Sequence, residues 1–109
     1  MSTVTTHVLD TALGRPAAGV PVRLERADGS QVVAEGRTDA DGRVVDLGPD
    51  DLAAGGYRLV FATAAYFSGT GQDSFFPEVA ITFALTDPAQ HYHVPVLLSP
   101  FAYSTYRGS

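Results

Sequence analysis

Residues 20–38 have the sequence VPVRLERADGSQVVAEGRT, and this stretch decides the fold class. Apolar and polar residues alternate over residues 20–26, which is the period-two pattern of a strand with one buried face. Asp28 and Gly29 follow, and an Asp-Gly pair favours a tight turn because both residue types tolerate a positive φ. Apolar residues then resume up to Thr38, so the stretch predicts a β-hairpin.

Short apolar stretches that end at Gly, Pro or Asp recur along the rest of the chain. They predict further strands at residues 4–9, 43–47, 57–63, 78–85, 91–99 and 103–107, and two turns of helix within residues 64–72. About eight short strands separated by turns are typical of an antiparallel β-sandwich or barrel. Pro95 falls inside one predicted strand, and because proline has no backbone N–H we expect it where the ladder needs no donor.

Length and composition favour one folded unit. The chain has 109 residues, so we expect a single domain over residues 1–109. Hydrophobic residues make up 45% and charged residues 17%, which excludes a disordered chain. The chain has no cysteine, so disulfides, thiolate zinc sites and cysteine nucleophiles are excluded.

The charge balance argues against polyanionic partners. The formal net charge is -5, and the seven basic residues are all Arg and are scattered along the sequence. We therefore expect no nucleic-acid partner and no membrane partner. The first ten residues, MSTVTTHVLD, show neither the basic nor the apolar region of a signal peptide, so we expect a cytoplasmic location.

Three histidines are the groups that titrate near neutral pH without help. His91 and His93 flank Tyr92 in a predicted strand, so both lie on one face with Cα atoms roughly 6.5–7 Å apart. Two proton carriers on one surface suggest an acid–base site, to which His7 is a further candidate. Two alternatives stay open: ordinary sheet histidines, or a zinc site made by three histidines.

Four short motifs lie at the two ends of the chain. They are His7-Val8-Leu9-Asp10, Gly14-Arg15-Pro16-Ala17, His91-Tyr92-His93-Val94-Pro95 and Tyr106-Arg107-Gly108-Ser109. Together they resemble the transthyretin family, and the resemblance spans the whole chain. The terminal Tyr-Arg-Gly-Ser and a histidine at position 7, where the hormone carriers have Lys, are similar to the hydroxyisourate hydrolases of that family.

This resemblance implies an all-β, transthyretin-like sandwich of two four-stranded antiparallel sheets with one short helix. It implies a homotetramer with active sites at the dimer–dimer interface. The implied activity is hydrolysis of 5-hydroxyisourate to 2-oxo-4-hydroxy-4-carboxy-5-ureidoimidazoline in urate degradation, a step of purine catabolism, with no cofactor and no metal. The alternative function is a transthyretin-like module that binds a small ligand without catalysis.

The resemblance also implies the residues of the site. It gives catalytic roles to His7, Arg43 and His93. Substrate contacts are expected from His7, Arg43, His91, Tyr106, Arg107, Gly108 and Ser109. A neutral histidine can accept the proton of an attacking water near pH 7, and an arginine can stabilise the negative charge of a tetrahedral intermediate. Which histidine is the base and which the acid stays open at this point.

Overall fold

The computed structural model describes residues 3–109 and arranges them as two packed β-sheets and one helix. The strands are β1 (Val4–Asp10), β2 (Arg15–Pro16), β3 (Pro21–Arg26), β4 (Val32–Arg37), β5 (Arg43–Val44), β6 (Gly55–Phe61), β7 (Val79–Leu85), β8 (Tyr92–Ser99) and β9 (Ala102–Thr105), and the helix is α1 (Thr63–Thr70). Sheet 1 has the order β2-β1-β8-β9, with β5 also paired to β1, and sheet 2 has the order β4-β3-β6-β7. The predicted sandwich with one short helix is confirmed.

The hairpin predicted at residues 20–38 is present in sheet 2. Strands β3 and β4 pair antiparallel from Pro21 opposite Arg37 to Leu24 opposite Ala34, with a bulge after Leu24. Gly29 has φ 75°, a left-handed conformation that glycine adopts without steric cost, and it closes the turn. The local sequence pattern therefore determines this part of the fold.

The core lies between the two sheets, because each sheet turns the apolar side of its alternating strands inward. Sheet 1 contributes Val4, Val8, Val94, Val96 and Leu98, and sheet 2 contributes Val22, Leu24, Leu59, Phe61 and Val79, all of them buried. Fully burying a side chain of this type stabilises the fold by about 1.5–3 kcal/mol. The residues between these positions face outward, so the outer face of sheet 1 is free to hold polar groups.

Sheet 1 contains one parallel pair. Strands β1 and β8 run parallel over their whole length, with Thr5 opposite His93 and His7 opposite Pro95, whereas the other pairs are antiparallel. With β5, this sheet has five strands where four were expected. A parallel pair needs a long connection, and here the whole of sheet 2 lies between β1 and β8 along the chain. This pairing brings the first histidine next to the strand that contains His93 and that begins directly after His91.

Pro95 marks a break in the ladder between β8 and β9. The pairing extends from Ser99 opposite Ala102 to Val96 opposite Thr105, so Pro95 has no partner in β9. The Pro95 carbonyl accepts a hydrogen bond from the Thr105 side chain at 2.7 Å, which satisfies the acceptor that proline retains. The position therefore needs no donor, as expected. After Thr105 the chain leaves the ladder. The last four residues, Tyr106–Ser109, form a tail that pairs again with β8 only at Gly108, opposite His93.

Helix α1 is tied to the end of β1. The helix ends at Gly71, which has φ 71°, a common way to terminate a helix. Within it, the Tyr66 hydroxyl donates to Asp10 Oδ2 at 2.6 Å, and Asp10 Oδ1 accepts from the N–H groups of Ala12 and Leu13. Burial and this carboxylate raise the pKa of Tyr66 to about 12. No helix among residues 3–109 has the length and apolar character needed to span a membrane.

Candidate active site

The candidate site lies on the outer face of sheet 1. Side chains alternate along β1, so Thr5 and His7 face away from the core that Val4 and Val8 enter. Residues directly opposite each other in neighbouring strands share a face, which places His93 beside Thr5 and Arg43 beside His7. The sheet register therefore brings His7, Arg43 and His93 to the same surface.

A shallow cavity of about 260 Å³ opens at this surface. It is lined by Thr5, Thr6, Arg43, Val45, His91, His93 and Ser109. His7 lies beside this cavity, on the same strand face as Thr5. The lining combines two imidazoles, one guanidinium and the buried hydroxyl of Thr5 with other groups, so the cavity can both exchange protons and hold a small anionic or polar ligand.

His7 is oriented by a backbone carbonyl. Its Nε2 lies 2.8 Å from the carbonyl oxygen of Asp41. Because a carbonyl can only accept, Nε2 must hold a proton and donate it. In the neutral ring, Nδ1 is then the nitrogen with a free lone pair. The contact fixes both the orientation of the ring and the position of its proton.

The turn before β5 holds Arg43 and the Asp41 carbonyl in place. Asp39 Oδ1 accepts hydrogen bonds from the backbone N–H groups of Asp41 at 2.9 Å and Arg43 at 3.0 Å. Gly42 has φ 77°, and a Cβ there would overlap the Val8 carbonyl oxygen. The Asp-Gly pair that the sequence shows as a turn signal thus positions Arg43 opposite His7.

His91 and His93 are joined through a hydroxyl. Thr5 Oγ1 lies 3.0 Å from His91 Nε2 and 2.9 Å from His93 Nδ1. The two rings are close to parallel, with centroids 6.4 Å apart and planes at 23°. Burial lowers the pKa of His93 below its ordinary value, and the charges of Arg43 and the other two histidines lower it further. The neutral form of His93 is therefore favoured at neutral pH.

The end of the tail packs against His93. The Gly108 N–H donates to the His93 carbonyl at 2.8 Å, and the next residue, Ser109, lines the cavity. A Cβ at position 108 would lie 2.6 Å from Cδ2 of the His93 ring and 3.2 Å from Cγ of Pro95. Glycine is thus the residue that lets the tail lie directly on the imidazole.

The structure places Tyr106 and Arg107 at a different cavity of the same chain. This second cavity, of about 270 Å³, lies between the tail and β7. The Arg107 guanidinium stacks over the Tyr92 ring at 4.5 Å from its centroid, and its Nη2 donates to Gln90 Oε1 at 3.0 Å. Within one chain, the tail therefore divides: Gly108 and Ser109 join the histidines, whereas Tyr106 and Arg107 do not.

Two site groups were not expected from the sequence, namely the Thr5 hydroxyl and the Asp41 carbonyl. Thr5 could have been found, because the period-two rule that pairs His91 with His93 also puts Thr5 on the face of His7. The Asp41 carbonyl has no sequence signal, since any residue type supplies a carbonyl. As for the zinc alternative, residues 3–109 contain no group of three or more histidine or acidic side chains arranged to hold a metal ion.

This two-sheet sandwich, with its parallel β1–β8 pair and a histidine–arginine cavity on one outer face, defines a β-sandwich protein of transthyretin type. The chain belongs to the HIUase/Transthyretin family, whose sequence profile matches residues 4–108.

Similar proteins include 5-hydroxyisourate hydrolases and a transthyretin. A 5-hydroxyisourate hydrolase of Caulobacter vibrioides is 53% identical over 115 aligned residues, which cover 100% of both chains. The solved 5-hydroxyisourate hydrolase of Klebsiella pneumoniae has a TM-score of 0.89 and 40% identity, covering 100% of this chain and 94% of that one. A crystal structure of transthyretin from Sparus aurata has a TM-score of 0.91 and 32% identity, covering 99% and 97%.

The predictions of the family and of the hydrolase class are confirmed by these relatives. The transthyretin-like fold is confirmed as well. The backbone matches the Sparus aurata transthyretin, at a TM-score of 0.91, as closely as it matches the Klebsiella pneumoniae hydrolase, at 0.89.

Proposed function

We propose that this protein hydrolyses the ring amide of 5-hydroxyisourate to give 2-oxo-4-hydroxy-4-carboxy-5-ureidoimidazoline in urate degradation. The observation that supports this most directly is the register of sheet 1, which puts His7, Arg43 and His93 on one face around a small cavity. Hydrolysis of an amide needs a base for the water, a donor for the leaving nitrogen and a stabiliser for the oxyanion. These three residues supply all three groups.

In the proposed reaction His93 is the base. A water oxygen bonds to the ring carbonyl carbon while one water proton passes to Nε2 of His93. Nδ1 cannot serve, because it is engaged with Thr5. Burial and nearby positive charge lower the pKa of His93, so the ring is unprotonated and ready to accept. Positioned proton transfer of this kind contributes about 10²–10⁴-fold to a rate.

Arg43 and His7 complete the step. The Arg43 guanidinium presents a planar fork of donors to the substrate and to the oxyanion that forms when water adds. The carbon–nitrogen bond of the ring then breaks, and the leaving nitrogen takes the proton that Nδ1 of His7 has accepted from solvent. The Asp41 carbonyl still accepts from Nε2 in that form, so the ring keeps its orientation. Ser109 and His91 line the cavity that takes the substrate, and Gly108 holds the tail on His93.

The test is direct turnover. Urate oxidase generates 5-hydroxyisourate in solution, and its ultraviolet decay is followed with and without the protein. We expect decay well above the spontaneous rate, and a much slower decay with His93→Gln at equal concentration. Decay at the spontaneous rate would refute the enzyme. Binding of the compound without acceleration would instead support the alternative, a transthyretin-like ligand carrier.

We propose further that the chain, as one domain over residues 1–109, works as a homotetramer in the cytoplasm. In support, Phe75 and Phe101 are 70% and 68% exposed. Phe75, Phe76 and Tyr103 form a row of edge-to-face rings with centroids 5.0 and 5.3 Å apart. An exposed apolar group of this kind marks an interaction surface. Light scattering should give four times the chain mass of 11.5 kDa, whereas a stable monomer would contradict the assembly.

A further inference from the structure

The Thr5 hydroxyl of β1 contacts both His91 and His93. We propose that Thr5 is a positioning residue that relays a proton between His93 and His91, so that the positive charge formed during catalysis leaves the half-buried histidine for the exposed one. This inference rests on the proposed function, because it assigns a route to the proton that the attacking water releases.

The first step of the argument is the proton count of a hydroxyl. Thr5 Oγ1 has one proton to donate, and both ring nitrogens that face it lie within hydrogen-bond distance, at 2.9 and 3.0 Å. When Thr5 donates to His91 Nε2, it can accept only from a protonated His93 Nδ1. The reverse arrangement needs a proton on His91 Nε2 and none on His93 Nδ1. The tautomers of the two rings are therefore coupled through Thr5.

The relay is balanced in protons. Before the reaction, His93 Nδ1–H donates to Thr5 and Thr5 O–H donates to His91 Nε2. Water gives a proton to His93 Nε2, Nδ1 passes its proton to Thr5 Oγ1, and Thr5 passes its own to His91 Nε2. His93 ends neutral, Thr5 regains its hydroxyl, and His91 ends as the imidazolium. Only N–H and O–H bonds are broken and formed in the relay.

The surroundings of the two histidines favour proton transfer from His93 to His91. His93 is half-buried, and Arg43 lies on the same sheet face, so a lasting positive charge on His93 would be desolvated and repelled. His91 is exposed, so water can solvate its charge and remove its proton. The lowered pKa of His93, caused first by burial and then by Arg43, has the same origin. Thr5 itself is only 6% exposed, which protects the relay from bulk water.

A different arrangement would exclude the relay. Both rings could hold protons on the nitrogens that face Thr5, in which case Oγ1 accepts twice and transfers nothing. Nitrogen-15 NMR of the histidine rings at a pH where both are neutral separates the two cases. We expect exactly one of His91 Nε2 and His93 Nδ1 to be protonated at any time. Two protonated nitrogens, or spectra that Thr5→Val leaves unchanged, would overturn the proposal.

The kinetic test compares three variants. Thr5→Val keeps the shape of the side chain and removes the hydroxyl, and we expect kcat to fall about 10- to 100-fold with little change in KM. Thr5→Ser keeps a hydroxyl and should restore most of the rate. Thr63→Val is the matched control, because it also removes one buried hydroxyl, whose bond goes to the Phe76 carbonyl at 2.8 Å and not to the cavity. Its kcat should equal that of the wild type.

The outcomes separate the relay from the proposed function. An active wild type with an equally active Thr5→Val variant refutes the relay and leaves the function intact. A Thr5→Ser variant as slow as Thr5→Val also refutes it, because packing and not the hydroxyl would then matter. A wild type without turnover refutes the function, and the NMR measurement still decides whether the two histidines are coupled.

Discussion

Gly108→Ala should damage the site by moving the ring of His93. A Cβ on Gly108 would lie 2.6 Å from Cδ2 of that ring, whereas ordinary contacts begin at 3.4 Å, so the two groups must separate by about 0.8 Å. The ring is held on its other side by Thr5 at 2.9 Å, and Pro95 lies 3.2 Å from the new Cβ. Neither neighbour leaves the ring an easy way to yield.

Two rearrangements could absorb the added methyl group, and both affect catalysis. Either the imidazole shifts and its bond to Thr5 lengthens, or the tail lifts and breaks the 2.8 Å bond between Gly108 N–H and the His93 carbonyl. A misplacement of about 1 Å at a reacting group costs on the order of 10²-fold. We expect kcat/KM to fall about 10- to 100-fold, with a loss of about 1–3 kcal/mol in unfolding free energy at most.

Gly69→Ala is the matched control for this change. Gly69 lies in α1, and a Cβ there would meet nothing within 4 Å. Replacing a helical glycine by alanine stabilises a helix by about 0.5–1 kcal/mol. Turnover of 5-hydroxyisourate and thermal unfolding are measured on the same samples. Full activity in Gly108→Ala, or an equal loss in Gly69→Ala, would show that close contact between the tail and His93 has no catalytic role.

Other substitutions test separate parts of the site and fold. Arg43→Lys should lose most activity while circular dichroism stays unchanged, because lysine keeps the charge but not the planar fork; near-normal turnover would make Arg43 a surface residue. The proposed mechanism needs neutral His93, so activity should fall as pH drops through the His93 pKa. Burial and then the charge of Arg43 lower that pKa. The residual activity of Arg43→Gln should therefore be lost at a higher pH than the activity of the wild type. Deletion of Tyr106–Ser109 should abolish turnover and keep cooperative unfolding, because the core residues lie elsewhere; retained turnover per folded molecule would remove the tail from the site. Tyr66→Phe should cost about 1–3 kcal/mol in urea unfolding and spare kcat, because it removes a donor from buried Asp10; an unchanged midpoint would contradict this.

The strands were predictable because their sequence periodicity reflects burial. In β7, for example, Val79 and Leu85 are buried and Ile81 and Phe83 are half-buried, while the residues between them are exposed. The same rule correctly places His91 and His93 on one face. Periodicity describes one strand at a time, however, and does not say which strand lies beside it. The parallel pairing of β1 with β8 is therefore a property of the whole fold that no local pattern contains.

The tail is a second case in which a local sequence pattern does not determine what each side chain contacts. The resemblance implied that Tyr106 to Ser109 belong to the site, but these residues follow the last strand and pair with the sheet only at Gly108. The structure places Ser109 at the histidine cavity and stacks Arg107 on Tyr92 at 4.5 Å. A motif of adjacent residues indicates that a segment matters, whereas the direction of each side chain follows from the backbone that positions it.

The backbone of the tail is in turn controlled by Pro95, which connects the fold to the chemistry. Proline offers no N–H, so the ladder between β8 and β9 stops at Val96, and the chain is released after Thr105. It pairs again at His93 through Gly108, whose missing side chain lets the backbone lie against the imidazole. The imidazole is therefore held on one side by Thr5 of β1 and on the other by the chain end. A proline and a glycine, neither of which can take part in proton transfer, thus hold the imidazole that we propose as the base.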